Sequence, residues 1–200
     1  MYNPNFEFEL NGLKLNDNET INNIIMKFTS VRGHLMAWEN PEKLHKWELE
    51  TIPEIFNTDL EFKVMDSCKD IEKNLKTLGQ KCDYLILWTD YDREGESIAY
   101  EIINLIQKAR KKEVKLLRAK FSSLTEKDIL YSIDSLQKPN KNLADAVEFR
   151  QKIDLKIGAS FTRFQTLCFR DLFYANPSFI MNNLMGVKKR VIRLSNKISI

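Results

Sequence analysis

Hydrophobic and polar positions alternate with a period of two near the start of the chain. Residues 6–10 (FEFEL) alternate strictly, Asn11-Gly12 is a favoured hairpin turn, and residues 13–15 resume the alternation, which predicts a β-hairpin. Residues 24–28 (IIMKF) predict a further strand. Residues 38–60 are rich in Trp, Pro and charge and keep no period, so we interpret them as a long surface excursion.

The middle of the chain alternates predicted strands with predicted helices. A helix is expected over residues 68–78, closed by Gly79 in the left-handed conformation. Residues 83–89 (DYLILWT) are a continuous apolar run, typical of a parallel strand covered on both faces, and an amphipathic helix follows. Three more elements are predicted: a strand over 114–118, a helix from Thr125 to about Gln137 and a long helix from Asn142. This order predicts an α/β domain with a helical extension.

Composition places the chain among globular proteins and outside the membrane and secreted classes. It is 43% apolar and 30% charged, with no run near the roughly 18 apolar residues that a membrane-spanning helix needs. Its N-terminus has neither the basic nor the apolar region of a signal peptide. The three cysteines, Cys68, Cys82 and Cys168, are odd in number and widely spaced, which favours an intracellular, reducing compartment over disulfides or a thiolate zinc site.

The net charge of +3 is unevenly distributed. Five of the 31 bases follow Asp171 and no acid does, which leaves 26 bases against 28 acids in residues 1–171. The body is therefore slightly acidic and only the tail is basic, so net charge alone does not indicate nucleic-acid binding.

An acidic turn, residues 90–94 (DYDRE), follows the most apolar predicted strand. Ligands bind at the carboxyl ends of strands in open α/β sheets, and alternate residues of an extended turn face the same way. Asp90, Asp92 and Glu94 are thus expected to converge on Mg²⁺, beside Arg93 and a helix N-terminus that favour phosphate. The alternative is an acidic loop that only supports the helix dipole, and both interpretations stay open.

Other candidate residues are weaker when taken singly. His34 follows a strand and suits either a phosphate contact or an ordinary loop histidine, the second being favoured. Three arginines would form a phosphate track only if they converged: Arg118, Arg150 and Arg163. Three aromatic residues at helical spacing are expected in the core rather than against bases: Phe149, Phe161 and Phe164.

Five stretches of the chain form recognisable motifs in a fixed order: residues 29–35 (TSVRGHL), 87–97 (LWTDYDREGES), 118–125 (RAKFSSLT), 144–147 (ADAV) and 150–166 (RQKIDLKIGASFTRFQT). Together they resemble the N-terminal part of type IA DNA topoisomerases, the eukaryotic topoisomerase III branch in particular. The resemblance implies a Toprim fold, which is Rossmann-like with a mostly parallel sheet and helices on both faces, followed by a C-terminal helical extension. Five ordered motifs make a chance resemblance very improbable.

The same resemblance implies cleavage, passage and rejoining of single-stranded DNA with Mg²⁺ as cofactor. It assigns Asp90, Asp92 and Glu94 to the metal, and it places Arg93 and His34 near the scissile phosphate or the bound strand. Residues expected to line the DNA are Arg118, Arg150, Gln151 and Arg163. The family also implies RecQ-type helicase and oligonucleotide-binding-fold partners, and a nuclear location.

The chain departs from the family pattern in ways that predict an incomplete enzyme. The resemblance begins after the family's first strand with its acid–base glutamate, and none of the six tyrosines lies in a Tyr-x-Arg-Thr-Glu motif. We expect a Toprim-like domain over 1–140, the start of a helical DNA-groove domain over 141–170 and an unplaced basic tail over 171–200. Alone, this chain is predicted to be inactive. One alternative is a non-catalytic DNA- or partner-binding module. Another is a primase- or nuclease-type Toprim enzyme, which is less favoured because those classes do not share the block of residues 150–166.

Overall fold

The computed structural model describes residues 5–10, 12–14 and 20–175 of the chain. Its strands are β1 (Phe6–Leu10), β2 (Leu13–Lys14), β3 (Thr20–Ile21), β4 (Ile24–Phe28), β5 (Met36–Glu39), β6 (Glu61–Val64), β7 (Tyr84–Leu87) and β8 (Lys115–Arg118). Its α-helices are α1 (Ile52–Asn57), α2 (Lys69–Gly79), α3 (Arg93–Lys108), α4 (Glu126–Asp134) and α5 (Lys141–Ala175). No α-helix among the described residues is long and apolar enough to cross a membrane.

The strand pairing near the start of the chain differs from the predicted hairpin. β1 pairs antiparallel with β4, from Phe6 opposite Phe28 to Leu10 opposite Ile24. β2 pairs with β3 instead of folding back on β1. The hairpin prediction is therefore wrong, because local turn propensity at Asn11-Gly12 is outweighed by a longer pairing with β4.

β7 and β8 form a parallel pair whose two faces are both covered. Leu85 and Leu87 face the main apolar cluster, which includes side chains of α2 and α3. Ile86 and Trp88 face a second cluster, to which Ile133 of α4 contributes. The predicted α/β class is confirmed by this covered parallel pair with helices on both faces. The other described strand pairs are antiparallel, so the expectation of a mostly parallel sheet is corrected to this one pair.

The predicted helices occur with small differences at their ends. Gly79 closes α2 but does not adopt the expected left-handed conformation, since Gly33 is the one described glycine with positive φ. A Cβ at Gly79 would lie 2.6 Å from Ile106 of α3, so close helix packing explains the glycine. At the start of α4, the Thr125 hydroxyl accepts a hydrogen bond from the Asp128 amide, as the predicted capping pattern requires.

The contacts divide the chain into two compact units. Among the described residues, the first contains those up to Glu39 and from Leu60 to Ile153, and the second contains Asn40–Asp59 and those from Asp154 onward. Within the second unit, the predicted surface excursion contains the short helix α1, and it buries Leu44 and Ile55. The predicted domain boundary at residue 140 stays a prediction.

The aromatic face of α5 is exposed. Phe149, Phe161 and Phe164 each leave half or more of their surface accessible, so the expectation that they form core is wrong for the described structure. Helical spacing identifies an apolar face, but it does not specify what covers that face. Most of the predicted basic tail, residues 176–200, lies outside the described residues.

Candidate active site at the acidic turn

The acidic turn connects the carboxyl end of β7 to the first turn of α3. Asp92 is the N-cap of α3: its Oδ1 accepts a hydrogen bond from the Gly95 amide at 2.7 Å. The Thr89 hydroxyl donates to the Gly95 carbonyl oxygen at 2.8 Å. The bond to Asp92 satisfies one of the backbone N–H groups that a helix N-terminus leaves unpaired, and both bonds fix the path of the turn.

Gly95 allows the turn to approach α3 more closely than any side chain would permit. A Cβ built at this position would lie 1.9 Å from the Asp90 carbonyl oxygen, far inside van der Waals contact. The glycine in this motif is therefore required by backbone packing beneath the carboxylates.

Arg118 holds the turn from inside the protein. Its Nε donates to Glu96 Oε1 at 2.9 Å, its Nη1 donates to the Thr89 carbonyl oxygen at 2.8 Å, and its Nη2 donates to that of Asp90 at 2.7 Å. Both Arg118 and Glu96 have fully buried side chains, and the second oxygen of Glu96 accepts from the Asn140 amide at 2.9 Å. The prediction that Arg118 contacts DNA is corrected, because its guanidinium has no exposed surface.

The outer side of the turn is formed by residues from three segments. Glu94 Oε1 accepts a hydrogen bond from Arg150 Nη2 of α5 at 2.6 Å. Its Oε2 lies 3.0 Å from Nε2 of His34, which belongs to the loop between β4 and β5. The structure thus brings together His34, Glu94 and Arg150, all of which were singled out from the sequence.

His34 lies between two carboxylates of α3. Its Nδ1 is 2.6 Å from Oε1 of Glu101, whose Oε2 also accepts from the Leu35 and Met36 amides. The hydrogen bond to Glu101 raises the pKa of His34, against the opposing effect of burial, and Glu94 raises this pKa further. Since a carboxylate only accepts, both ring nitrogens donate when the ring is an imidazolium.

The three carboxylates of the acidic turn do not converge as expected. Among the described residues, no three His, Cys, Asp or Glu side chains lie close enough together to hold a metal ion. The alternation argument fails because the chain is helical from Arg93 onward. Glu94 is therefore bonded to Arg150, and Asp92 caps the helix. This geometric expectation is corrected.

The donor set nevertheless fits Mg²⁺ in its chemistry. Asp90 and Asp92 are exposed, and Glu94 is half-exposed. Hard carboxylate oxygens with room for water are the ligands Mg²⁺ prefers, and one or two protein carboxylates commonly suffice. A metal ion on Glu94 would compete with Arg150, whose guanidinium bonds Oε1 of the same carboxylate.

The remaining predicted site residues lie in different settings. Arg93 is exposed in the first turn of α3, and Gln151 is half-buried beside a cavity of about 110 Å³. Arg163, in the second unit, is buried and donates to the Leu44 carbonyl oxygen, with the Trp47 ring 5.6 Å away. As placed, Arg163 stabilises that unit, so its predicted DNA contact is corrected.

Sequence reasoning missed Glu96 and Glu101, the two buried carboxylates of α3. A signal was available for Glu101, because it interrupts the apolar stripe of an amphipathic helix and lies seven residues after Glu94. That spacing places both carboxylates on one face, two turns apart.

A known family matches the part of the chain that contains the parallel strand pair and the acidic turn. The model of the Toprim domain matches residues 14–124, more than half of the chain, and includes β7, the acidic turn, α3 and β8. The chain therefore belongs to the Toprim-domain family.

Within this family the chain is similar to DNA topoisomerase 3 of eukaryotes. It is 41% identical to DNA topoisomerase 3-alpha of Arabidopsis thaliana over 86% of its own length, and 40% identical to the human 3-alpha enzyme over 76%. It is also 39% identical to human DNA topoisomerase 3-beta-1 over 72%. The matches span 18%, 15% and 17% of these relatives, so the chain covers under a fifth of their length. The resemblance to the topoisomerase III branch is confirmed over the Toprim region.

Proposed function

We propose that this chain provides the metal-binding and phosphate-orienting part of a topoisomerase III-like reaction, in which one DNA strand is cut, passed and rejoined. The observation that carries the proposal is the acidic turn itself, held from inside by Arg118 and bordered outside by His34 and Arg150. Mg²⁺ bound through Asp90, Asp92 and Glu94 would neutralise and orient phosphate oxygens.

The chain's own positive groups suit a phosphate next to these carboxylates. Arg150 and His34 approach the turn from α5 and from the β4–β5 loop, and Arg93 is exposed at the helix N-terminus. Helix N-termini and arginines hold phosphate oxygens without reading bases. In the proposal these groups, with Gln151, position a single DNA strand regardless of its sequence.

In the proposal, this chain binds the metal and orients the phosphate, and the nucleophile that cleaves the strand is supplied by another polypeptide segment. The printed sequence contains no Tyr-x-Arg-Thr-Glu motif, so we expect no relaxation of negatively supercoiled plasmid by the chain alone. Nuclear location and assembly with a RecQ-type helicase and an oligonucleotide-binding-fold protein are parts of the proposal that rest on the family alone.

The test is Mg²⁺-dependent binding of a single-stranded oligonucleotide by wild type and Asp92→Asn. Asparagine caps helices as well as aspartate does, so this change removes the charge and keeps the start of α3. Asp70→Asn is the matched control, because Asp70 is an exposed acid in the first turn of α2. We expect Mg²⁺ to strengthen binding in wild type and in the control, and to have little effect on Asp92→Asn.

The alternatives give different results in the same experiment. Binding that ignores both Mg²⁺ and Asp92→Asn indicates a non-catalytic docking module. Mg²⁺-dependent shortening of the oligonucleotide indicates a nuclease-type Toprim enzyme. Relaxation of supercoiled plasmid by a clean preparation contradicts the incomplete site that we propose.

A further inference from the structure

Glu101 is a buried carboxylate that the proposed function does not use. Its side chain is only 4% exposed, and a charged carboxylate is unfavourable in such a place unless hydrogen bonds compensate. Its Oε2 accepts from the amides of Leu35 and Met36 at 2.7 and 3.0 Å. Its Oε1 lies 2.6 Å from Nδ1 of His34. One oxygen therefore fixes the backbone of the loop, and the other is used for the histidine ring.

The spacing of Glu94 and Glu101 on α3 determines which nitrogen of the His34 ring faces inward and which faces the acidic turn. Glu94 and Glu101 are seven residues apart, which is about 10 Å along one helix face. His34 lies between them, with Nδ1 bonded to the buried carboxylate and Nε2 3.0 Å from the half-exposed one. The ring is thus held at its inner nitrogen and presents its outer nitrogen to the acidic turn.

We propose that Glu101 is a positioning residue, whose Oε1 fixes the His34 ring so that Nε2 faces Glu94 and a phosphate bound beside the acidic turn. The positioning stands on the geometry alone, and only the phosphate rests on the proposed function. A carboxylate behind a histidine sets its tautomer and ring orientation in many sites, because it accepts a hydrogen bond from the N–H of one ring nitrogen and leaves the other nitrogen free to act.

A purely structural role for Glu101 would leave the ring unaffected. The bonds to Leu35 and Met36 already close the loop onto α3, and a glutamine oxygen would accept from the same two amides. A glutamine would, however, turn an NH₂ group toward Nδ1, which then has to accept. Glu101→Gln therefore separates the loop function from the positioning function.

The first measurement is a ¹⁵N nuclear magnetic resonance spectrum of the histidine rings in the wild-type chain. The sequence contains only His34 and His45, so His45→Gln assigns both rings. At a pH above the titration of the ring, we expect the remaining proton of neutral His34 on Nδ1, in a resonance protected from exchange with water. A neutral ring protonated at Nε2 in wild type overturns the proposal, whether or not any variant folds.

The second measurement compares Glu101→Gln with Glu148→Gln. Both side chains border the same cavity of about 110 Å³, but Glu148 is bonded to Lys152 and not to His34. We expect Glu101→Gln to move the proton of the neutral ring to Nε2, and Glu148→Gln to keep the wild-type spectrum. An unchanged His34 ring in a folded Glu101→Gln chain overturns the proposal.

The third measurement is a double-mutant cycle on Mg²⁺-dependent oligonucleotide binding. We expect Glu101→Gln and His34→Gln each to weaken binding by about ten-fold, the lower end of the effect of partners behind functional histidines. The double variant should lose no more than His34→Gln alone, because residues that act as a unit are not additive. Additive losses overturn the proposal. If wild type binds no oligonucleotide, the proposed function fails, and the ring spectra still decide the positioning.

Discussion

Two arginine–glutamate pairs lie on opposite sides of the same acidic turn. On the inner side, Arg118 and Glu96 are both 0% exposed, and nearly every polar atom has a protein partner. On the outer side, Arg150 and Glu94 are 58% and 39% exposed, and a single 2.6 Å bond joins them. The same two residue types thus form a fixed support in one place and an exchangeable contact in the other.

Burial accounts for this difference in energy. Removing one partner of a buried ion pair leaves an uncompensated charge in a medium that solvates it poorly, whereas an exposed partner is simply rehydrated. The inner pair therefore fixes the position of the acidic turn. The outer pair can be broken at little cost, so that Glu94 and Arg150 can each contact other charged groups.

The largest expected effect comes from breaking the inner pair. Arg118→Met leaves the Glu96 carboxylate and the Thr89 and Asp90 carbonyl groups without their donor, so we expect a loss of about 3–5 kcal/mol in the free energy of unfolding. Urea denaturation followed by circular dichroism measures this loss. Arg150→Met is the matched control and should cost less than about 1 kcal/mol. Equal losses would contradict the distinction between the two pairs.

A smaller effect is expected from filling the space under the turn. Gly95→Ala puts a methyl group 1.9 Å from the Asp90 carbonyl oxygen, which forces the backbone to shift and costs about 1–3 kcal/mol. Gly158→Ala in α5 is the control, because a Cβ there has nothing within 4 Å.

The control should change stability in the opposite direction. Alanine stabilises a helix interior by about 0.5–1 kcal/mol relative to glycine. Thermal melting of both variants checks the pair. A Gly95→Ala variant with the same melting temperature as wild type would show that the close approach to Asp90 does not support the turn.

Sequence patterns predicted the framework of the site better than its side-chain partners. The apolar run at residues 83–89 and the helix after it correctly placed the acidic turn at the end of a covered strand. Both features depend on local periodicity, which a single sequence contains. The pairing of β1 with β4 depends instead on a distant segment, and the nearby Asn-Gly turn gave the wrong partner.

Long-range pairing also explains the errors among the arginines. Arg118, Arg150 and Arg163 look alike in the sequence, but they are bonded to Glu96, to Glu94 and to the Leu44 carbonyl group. Those partners lie 22, 56 and 119 residues away. Burial of the guanidinium follows from the folded chain, and no local pattern distinguishes the exposed arginine from the two buried ones.

The pH dependence of stability sharpens the description of the outer side. The Glu101 hydrogen bond raises the pKa of His34 in the folded state. A raised pKa means that the stabilisation is complete below the unfolded value of about 6.5 and is lost as pH rises through the folded-state pKa. The free energy of unfolding of wild type minus that of His34→Gln, measured in EDTA, should therefore fall as pH rises above about 6.5, the pKa of the unfolded state. A difference that grows with pH would contradict the contacts with Glu101 and Glu94.

The smallest expected effect tests whether the outer pair is exchangeable. Arg150 and a metal ion compete for the negative charge of Glu94, so Arg150→Gln should strengthen Mn²⁺ binding, measured from the electron paramagnetic resonance signal of the free ion. An exposed pair is worth about 0.2–1 kcal/mol, which corresponds to a gain of roughly 1.5- to five-fold. Lys152→Gln removes the same charge from α5 without touching Glu94, because Lys152 is bonded to Glu148. A gain equal in both variants indicates general electrostatics. A gain confined to Arg150→Gln indicates that the metal and the arginine compete for one carboxylate, so that metal binding releases a cation toward the phosphate.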